Sequence, residues 1–276
     1  TVAINTILAP IFIFMFDWGI RGAAIATVSA QVIALLWQLK QFNNANELLH
    51  FRRGIFRLKR KIVFDSLAIG MSPFLMNLAA CLIVILINQG LKKYGGDLAI
   101  GAFGIVNRLV FIVVMIVMGL NQGMQPIAGY NFGAKLYDRV NKVLKLTIIY
   151  ATCVTTFGFL VGMLAPNLVV GIFTSDAELT ELSATGLRIT VMFFPIIGFQ
   201  MVTSNFFQSI GMAGKAIFLS LTRQMLILLP CLLILPHFFG VAGVWYSMPV
   251  SDLLASLIAL VMLVYQFRKF KTAAAH

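Results

Sequence analysis

Charge is scarce in this chain, and acid scarcer still. Only 11% of the 276 residues are charged, with nine Asp and Glu against 21 Lys and Arg. At 60% hydrophobic residues and a mean hydropathy of +0.95, there is too little polar surface to wrap a water-soluble core. The three cysteines, Cys81, Cys153 and Cys231, all sit inside apolar runs without C-x-x-C spacing, which excludes a disulfide framework and a thiolate metal site. The three histidines, His50, His237 and His276, fall in connections or at the terminus, so no cluster has metal-ligand spacing. Glycine-rich phosphate loops and serine elbows are missing as well. No enzyme is expected: no catalytic residue, no metal and no organic cofactor.

What the sequence has instead is long apolar runs. A bilayer core about 30 Å thick needs roughly 20 apolar residues in helical form. Eight runs qualify or nearly do: 1–16, 22–39, 63–91, 98–127, 143–170, 182–210, 216–236 and 241–267. They are too long for strands and lack the two-residue alternation of an outer-membrane barrel. The predicted fold class is therefore all-α, a polytopic transmembrane helix bundle.

The connections give its orientation. Lys40, Arg52, Arg53, Arg57, Lys59, Arg60 and Lys61 follow the second run, while 92–97 is short and mixed. Lys135, Arg139, Lys142 and Lys145 follow the fourth run, and 174–181 carries Asp176, Glu178 and Glu181 with no base. The segment 211–215 is basic, 236–240 has no fixed charge, and the tail holds Arg268, Lys269 and Lys271. Basic residues on every second connection place 40–62 and the carboxyl terminus in the cytoplasm of a multi-pass protein, expected in a bacterial inner membrane. The formal charge of +12 and pI near 10.0 follow from those loops and suit anionic lipid headgroups, so nucleic acid is not an expected partner.

The chain opens on Thr1 with an apolar run under way, which reads as a piece of a longer protein. An internal echo indicates which piece. Gly19 and Gly22 enter the second run as Gly240 and Gly243 enter the last, with Pro10 and Pro230 about ten residues upstream. Small residues at that spacing let two helices pack closely in lipid. If the first two runs match the final two, residues 1–42 end an amino-terminal lobe and 43–62 link the lobes. Residues 63–276 then form a complete six-helix carboxyl lobe, a parallel-repeat transporter architecture. The remainder of the amino-terminal lobe is then an expected partner. In 43–62, Leu48, Leu49, Phe51, Ile55, Phe56 and Leu58 interleave with bases, as in a helix lying in the cytoplasmic interface.

Several stretches resemble one family. Gly22, Ala23, Ala24, Ile25, Ala26 and Thr27, followed by Gln31, resemble the sixth helix of MATE (multidrug and toxic compound extrusion) transporters. Gly119 to Pro126, leading into Gly129, Tyr130, Asn131, Phe132, Gly133, Ala134 and Lys135, is similar to that family's eighth helix and its cytoplasmic exit. Phe206, Phe207, Gln208 and Gly211, then Arg223, Gln224 and Pro230, then Gly240, Gly243, Trp245, Pro249 and Asp252 follow in family order. The resemblance implies a two-lobed, twelve-helix secondary exporter of hydrophobic or cationic compounds. It would exchange them for H⁺ or Na⁺ by alternating access, and a lipid or lipid-linked oligosaccharide flippase of the same superfamily is the alternative. Sodium-coupled members are expected to carry acids in helices seven and ten. Here those helices offer Asn77 and Gln200 or Asn205, so a carboxyl-lobe sodium site is in doubt and a coupling carboxylate in the amino lobe is favoured.

Polar groups deep in apolar runs mark the candidate site, because a charge at the bilayer centre costs about 2.5–3.5 kcal/mol on insertion scales. Arg108 lies about 16 Å into its run at 1.5 Å per residue. Arg223 and Asp252 flank 236–240 at similar distances, and antiparallel helices are expected to pair them in a polar network. Asn77, Arg108, Gln122, Gln200 and Asn205 are the candidate substrate-cavity residues, since uncharged polar side chains also turn away from lipid. Asn107, Asn121, Gln125 and Gln208 share that argument. Met71, Met76, Met115, Met118, Met192 and Met201, with Phe103, Phe193 and Phe194, offer an adaptable apolar wall. Prolines 73, 126, 195, 230 and 249 are candidate kinks.

Overall fold

The computed structural model describes residues 1–44, 50 and 59–274. Among them there is no strand. Among the described residues, five helices are long and apolar enough to cross a membrane, six if a pair bent by 55° counts as one span. The chain divides into two compact units, Thr1–Ser66 and Leu67–His276.

In the first unit, α1 (Val2–Pro10) continues into a π-helical turn, Ile11–Met15, and the chain reverses at Gly19 into α2 (Gly19–Phe42). Gly19 has φ +51°, a conformation open to glycine at no steric cost. Gly22 is required for another reason: a Cβ there would lie 2.5 Å from the carbonyl oxygen of Phe12. Only a residue without a side chain lets the two helices approach that closely. One face of α2 continues the seam through Ala26 and Ala30, both fully buried.

The second unit is built on α3 (Arg60–Gly133) from Leu67 onward, α4 (Tyr137–Leu164), α5 (Pro166–Val170), α6 (Ala177–Val191), α7 (Phe194–Ser209), α8 (Ala213–Leu221), a π-helical turn Thr222–Leu228, α9 (Leu229–Phe239) and α10 (Val241–Ala274). A straight α3 of 74 residues would be about 110 Å long. It breaks instead at Gly96, the one non-helical residue in it, with φ +67°. Both arms then reach the start of α10, with Gly90 against Val244, Gly95 against Val241, and the Phe103 ring 5.9 Å from Trp245. The mixed segment 92–97 is thus no loop but a one-residue reversal, a difference that hydropathy does not register.

Three other bounds differ from the sequence reading. The apolar run 182–210 is two helices, bent by 55° where Pro195 opens α7 and cannot donate back into α6. The run 143–170 ends its long helix at Leu164, and Pro166 starts the short α5. Pro236 belongs to α9, so the last reversal is carried by Gly240 alone, at φ +56°. Pro126 and Pro249 lie within continuous helix. The expected interfacial helix of 43–62 falls mostly on 45–49 and 51–58, outside the described residues.

Two neighbouring cores hold the second unit together. One gathers Ile87, Leu91, Phe103, Val106, Leu187, Phe194 and Trp245; the other Val117, Met124, Leu144, Val202, Phe206 and Leu263. Small residues set the helix spacing: a Cβ on Gly198 would lie 2.8 Å from the Ala151 carbonyl oxygen, and one on Gly186 would lie 2.7 Å from the Trp245 ring. The outward faces carry large apolar side chains such as Phe111, Ile112, Met115, Leu257, Leu260 and Val261. A continuous surface of that kind is tolerated in hydrocarbon and not in water.

Helix ends follow local chemistry. The resemblance element around Asn131 forms the turn between α3 and α4, where Lys135 takes φ +59° and the Leu136 N–H closes back on the Asn131 carbonyl at 2.9 Å. Gly211, φ +77°, ends α7 in the same manner as the Met212 N–H bonds Phe207 O. Asp176 caps α6, its carboxylate accepting from the Glu178 and Leu179 N–H groups at 2.9 and 3.2 Å. Asp176→Ala should lower stability by about 1 kcal/mol, read as a shift of a few degrees in detergent Tm. An unchanged Tm would show that α6 is held by packing alone.

Candidate functional site

Pro230, near the start of α9, has no N–H to return to the preceding turn, and upstream of it the helix widens into the π-helical turn Thr222–Leu228. The widened turn carries Arg223 and Gln224, with Ser220 one turn before them on α8. Facing them is α7, where Gln200, Met201, Ser204 and Asn205 follow the i, i+4 spacing of one helical face. These seven residues line a half-open cavity of about 130 Å³.

The cavity's one charged wall is fixed from behind. Arg223 donates through Nε to Oδ1 of Asp252 on α10 at 2.7 Å, with the aspartate side chain 5% exposed and the arginine 33%. Asp252 is thereby sealed in the bundle, while the Arg223 side chain stays one-third exposed and lines the cavity. The Asn205 amide donates to Met201 O at 3.0 Å, which anchors it to its own helix. Ser204 Oγ and Gln224 Oε1 are buried with no hydrogen-bond partner among the described residues. Among the described residues no carboxylate lines the space. It is donor-rich, and at roughly 30 Å³ per water it holds a few waters or one small polar group.

The sequence-predicted residues divide here. Gln200, Asn205 and Arg223 share the cavity, and Arg223 and Asp252 meet. Asn77, Arg108 and Gln122 are exposed on the surface of the second unit and do not line it. Phe103 and Phe194, expected in an adaptable wall, are 7% and 3% exposed and belong to the core instead. Met71, Met115, Met118 and Met192 are exposed. Ser204, Ser220 and Gln224 join the cavity without being candidates from sequence; their spacing from Gln200 and Arg223, one turn or one residue, is the available signal. Asn121 is 3% exposed with neither amide atom partnered among the described residues. Among the described residues no cluster could hold a metal ion, and all three cysteines are free.

The two glycine hairpins can now be compared. Gly22 and Gly243 sit three residues after a positive-φ glycine, each against backbone of the preceding helix, Phe12 in one and Leu235 in the other. The buried Ala26 and Ala30 of α2 correspond to the buried Ser247 and Ser251 of α10. One position later the hairpins part company: Asp252 corresponds to Gln31.

Comparison with known proteins gives a consistent result. The chain is 29% identical over 272 residues to the multidrug export protein MepA of Staphylococcus aureus, covering 97% of this chain and 58% of MepA. It superposes on the structure of the MATE multidrug transporter DinF-BH with a TM-score of 0.83 at 36% identity, covering 97% of this chain and 60% of that one. A transporter of the MOP superfamily from Pyrococcus furiosus shares the fold, with a TM-score of 0.86 at 21% identity and 61% of its length covered. The chain thus spans about three-fifths of the length of these relatives. The MatE family model matches residues 68–234, more than half of the chain, and the chain belongs to the MatE family.

Proposed function

We propose that the intact protein is a secondary active exporter, moving hydrophobic or cationic small molecules out of the cell in exchange for H⁺ or Na⁺. Likeness to MepA across 97% of the chain carries this reading. In it, residues 1–42 close an amino-terminal lobe, 43–62 link the lobes, and 63–276 are a six-helix carboxyl lobe. The repeated glycine hairpins and the division of the chain at Ser66 support that partition. Alternating basic connections support a bacterial inner-membrane protein with a cytoplasmic carboxyl terminus. Two lobes rocking about a central space would expose Asn77, Arg108 and Gln122 to cargo, in keeping with their exposed positions here. That no acid lines the cavity with Gln200 and Asn205 among the described residues supports a coupling carboxylate in the other lobe.

Cells expressing the full-length gene should gain resistance to cationic dyes and accumulate less of them. An uncoupler should abolish the effect if H⁺ drives it, and removal of sodium if Na⁺ does. Unchanged dye accumulation, together with failed cell-wall synthesis on deletion, would replace this reading with the flippase one.

A further inference from the structure

We infer that the cavity between α7, α8 and the π-helical turn is a subsite for the carboxylate group of anionic or zwitterionic cargo, with Arg223 as its recognition residue and Asp252 as the group that positions Arg223. The inference rests on the export reading above and adds a substrate class to it.

Three observations carry it. The first is the polarity of the lining. A guanidinium has five N–H donors in a rigid fork; one is committed to Asp252, and the side chain remains one-third exposed beside the cavity. Two serine hydroxyls and the amides of Gln200 and Gln224 add further donors, no carboxylate competes, and the Asn205 amide is turned away toward Met201 O. Such a lining matches a planar acceptor, and Arg is the side chain whose geometry fits a carboxylate with paired hydrogen bonds.

The second is unfilled hydrogen-bonding capacity. Ser204 Oγ and Gln224 Oε1, on two of the lining residues, are buried without a partner among the described residues. Polar groups so placed cost free energy unless something enters to satisfy them. Turned into the cavity by a side-chain rotation, Ser204 Oγ donates to a carboxylate that Arg223 also holds, and a protonated or N–H-bearing group beside it satisfies Gln224.

The third is the comparison of the two hairpins. The α1–α2 hairpin closes on the same pair of glycines with Gln31 where α10 has Asp252, and no residue of Val2–Met15 is charged. Closing such a hairpin therefore needs no ion pair. The buried Asp252 has a different task, holding the Arg223 fork at the cavity wall.

A matched pair of rhodamine dyes tests this, one with a free benzoate and the other its ethyl ester. Their binding to the purified full-length protein is measured by fluorescence anisotropy, and their export is followed in proteoliposomes. Two variants are compared with wild type. Arg223→Gln combined with Asp252→Asn removes both charges without stranding either, and Ser220→Leu fills the cavity while leaving the pair intact. Each should weaken binding of the acid about tenfold relative to the ester and raise its transport KM in parallel. If either variant fails to accumulate, the other decides. An acid-to-ester ratio that stays at the wild-type value, or losses equal for both dyes, overturns the subsite. Failure of wild type to export either dye counts against the exporter reading instead, and the binding ratio still judges the subsite.

Discussion

Arg223→Ala should be among the most damaging single changes in this protein, and more damaging than Asp252→Ala, although the two residues form one pair. Removing the arginine leaves a carboxylate that is 5% exposed, on a side chain too short to reach water. Removing the aspartate leaves an arginine whose side chain is already one-third exposed and lines a polar cavity. Breaking a buried pair costs about 3–5 kcal/mol when the remaining charge is stranded. Arg223→Ala belongs at that level, and Asp252→Ala nearer the roughly 1–3 kcal/mol of an unsatisfied polar group. Replacing both residues, Arg223→Met with Asp252→Leu, should restore stability to within about 1 kcal/mol of wild type, since a hydrophobic pair of similar volume avoids the desolvation of both charges. Membrane abundance and detergent Tm of the three full-length variants measure this. Equal losses in the two single variants would mean that the cavity does not solvate Arg223.

That pair also shows how far the sequence can be read. Rare charges in apolar runs are conspicuous, and counting from the reversal places Arg223 and Asp252 at similar depth. The count is less even than it looks: with the reversal at Gly240, Arg223 is 17 residues away and Asp252 12. Five residues is about 7 Å of helix, and the long arginine stem spans it. Asn77, Arg108 and Gln122 are equally conspicuous yet lie exposed, outside the Arg223 cavity, because depth along a helix does not tell which face a residue takes. The Gly96 reversal and the bend before Pro195 are hidden for a similar reason. Hydropathy reports that a segment is buried in lipid, and neither a single left-handed residue nor a kink changes that sum. Ser204 and Ser220 escape notice because a hydroxyl within a helix is normally satisfied by its own backbone, as Ser256 Oγ is by Asp252 O at 2.6 Å.

The second large effect is expected at a residue with no side chain. A Cβ on Gly243 would collide with the carbonyl oxygen of Leu235, lie 2.5 Å from its carbonyl carbon and 2.7 Å from Pro236 N. All three are backbone atoms, so no rotamer change relieves the contact, and the α9–α10 hairpin must open to admit a single methyl. Gly243→Ala should therefore cost about 3 kcal/mol, the upper end of overpacking penalties. The strain falls on the hairpin that brings Arg223 to Asp252, so losses in stability and in transport should appear together. Gly22→Ala should behave alike, its Cβ being 2.5 Å from Phe12 O. Gly119 and Gly123, in mid-helix with nothing within 4 Å of an added Cβ, provide the control. Alanine there should be neutral or stabilising by up to about 1 kcal/mol, because it limits the unfolded chain without meeting any atom. A detergent Tm for Gly243→Ala equal to that of Gly119→Ala would show that close backbone approach does not hold the hairpin. A large loss at Gly22 and Gly243 alone would identify the same construction at both ends of the chain, one copy carrying an ion pair and one not.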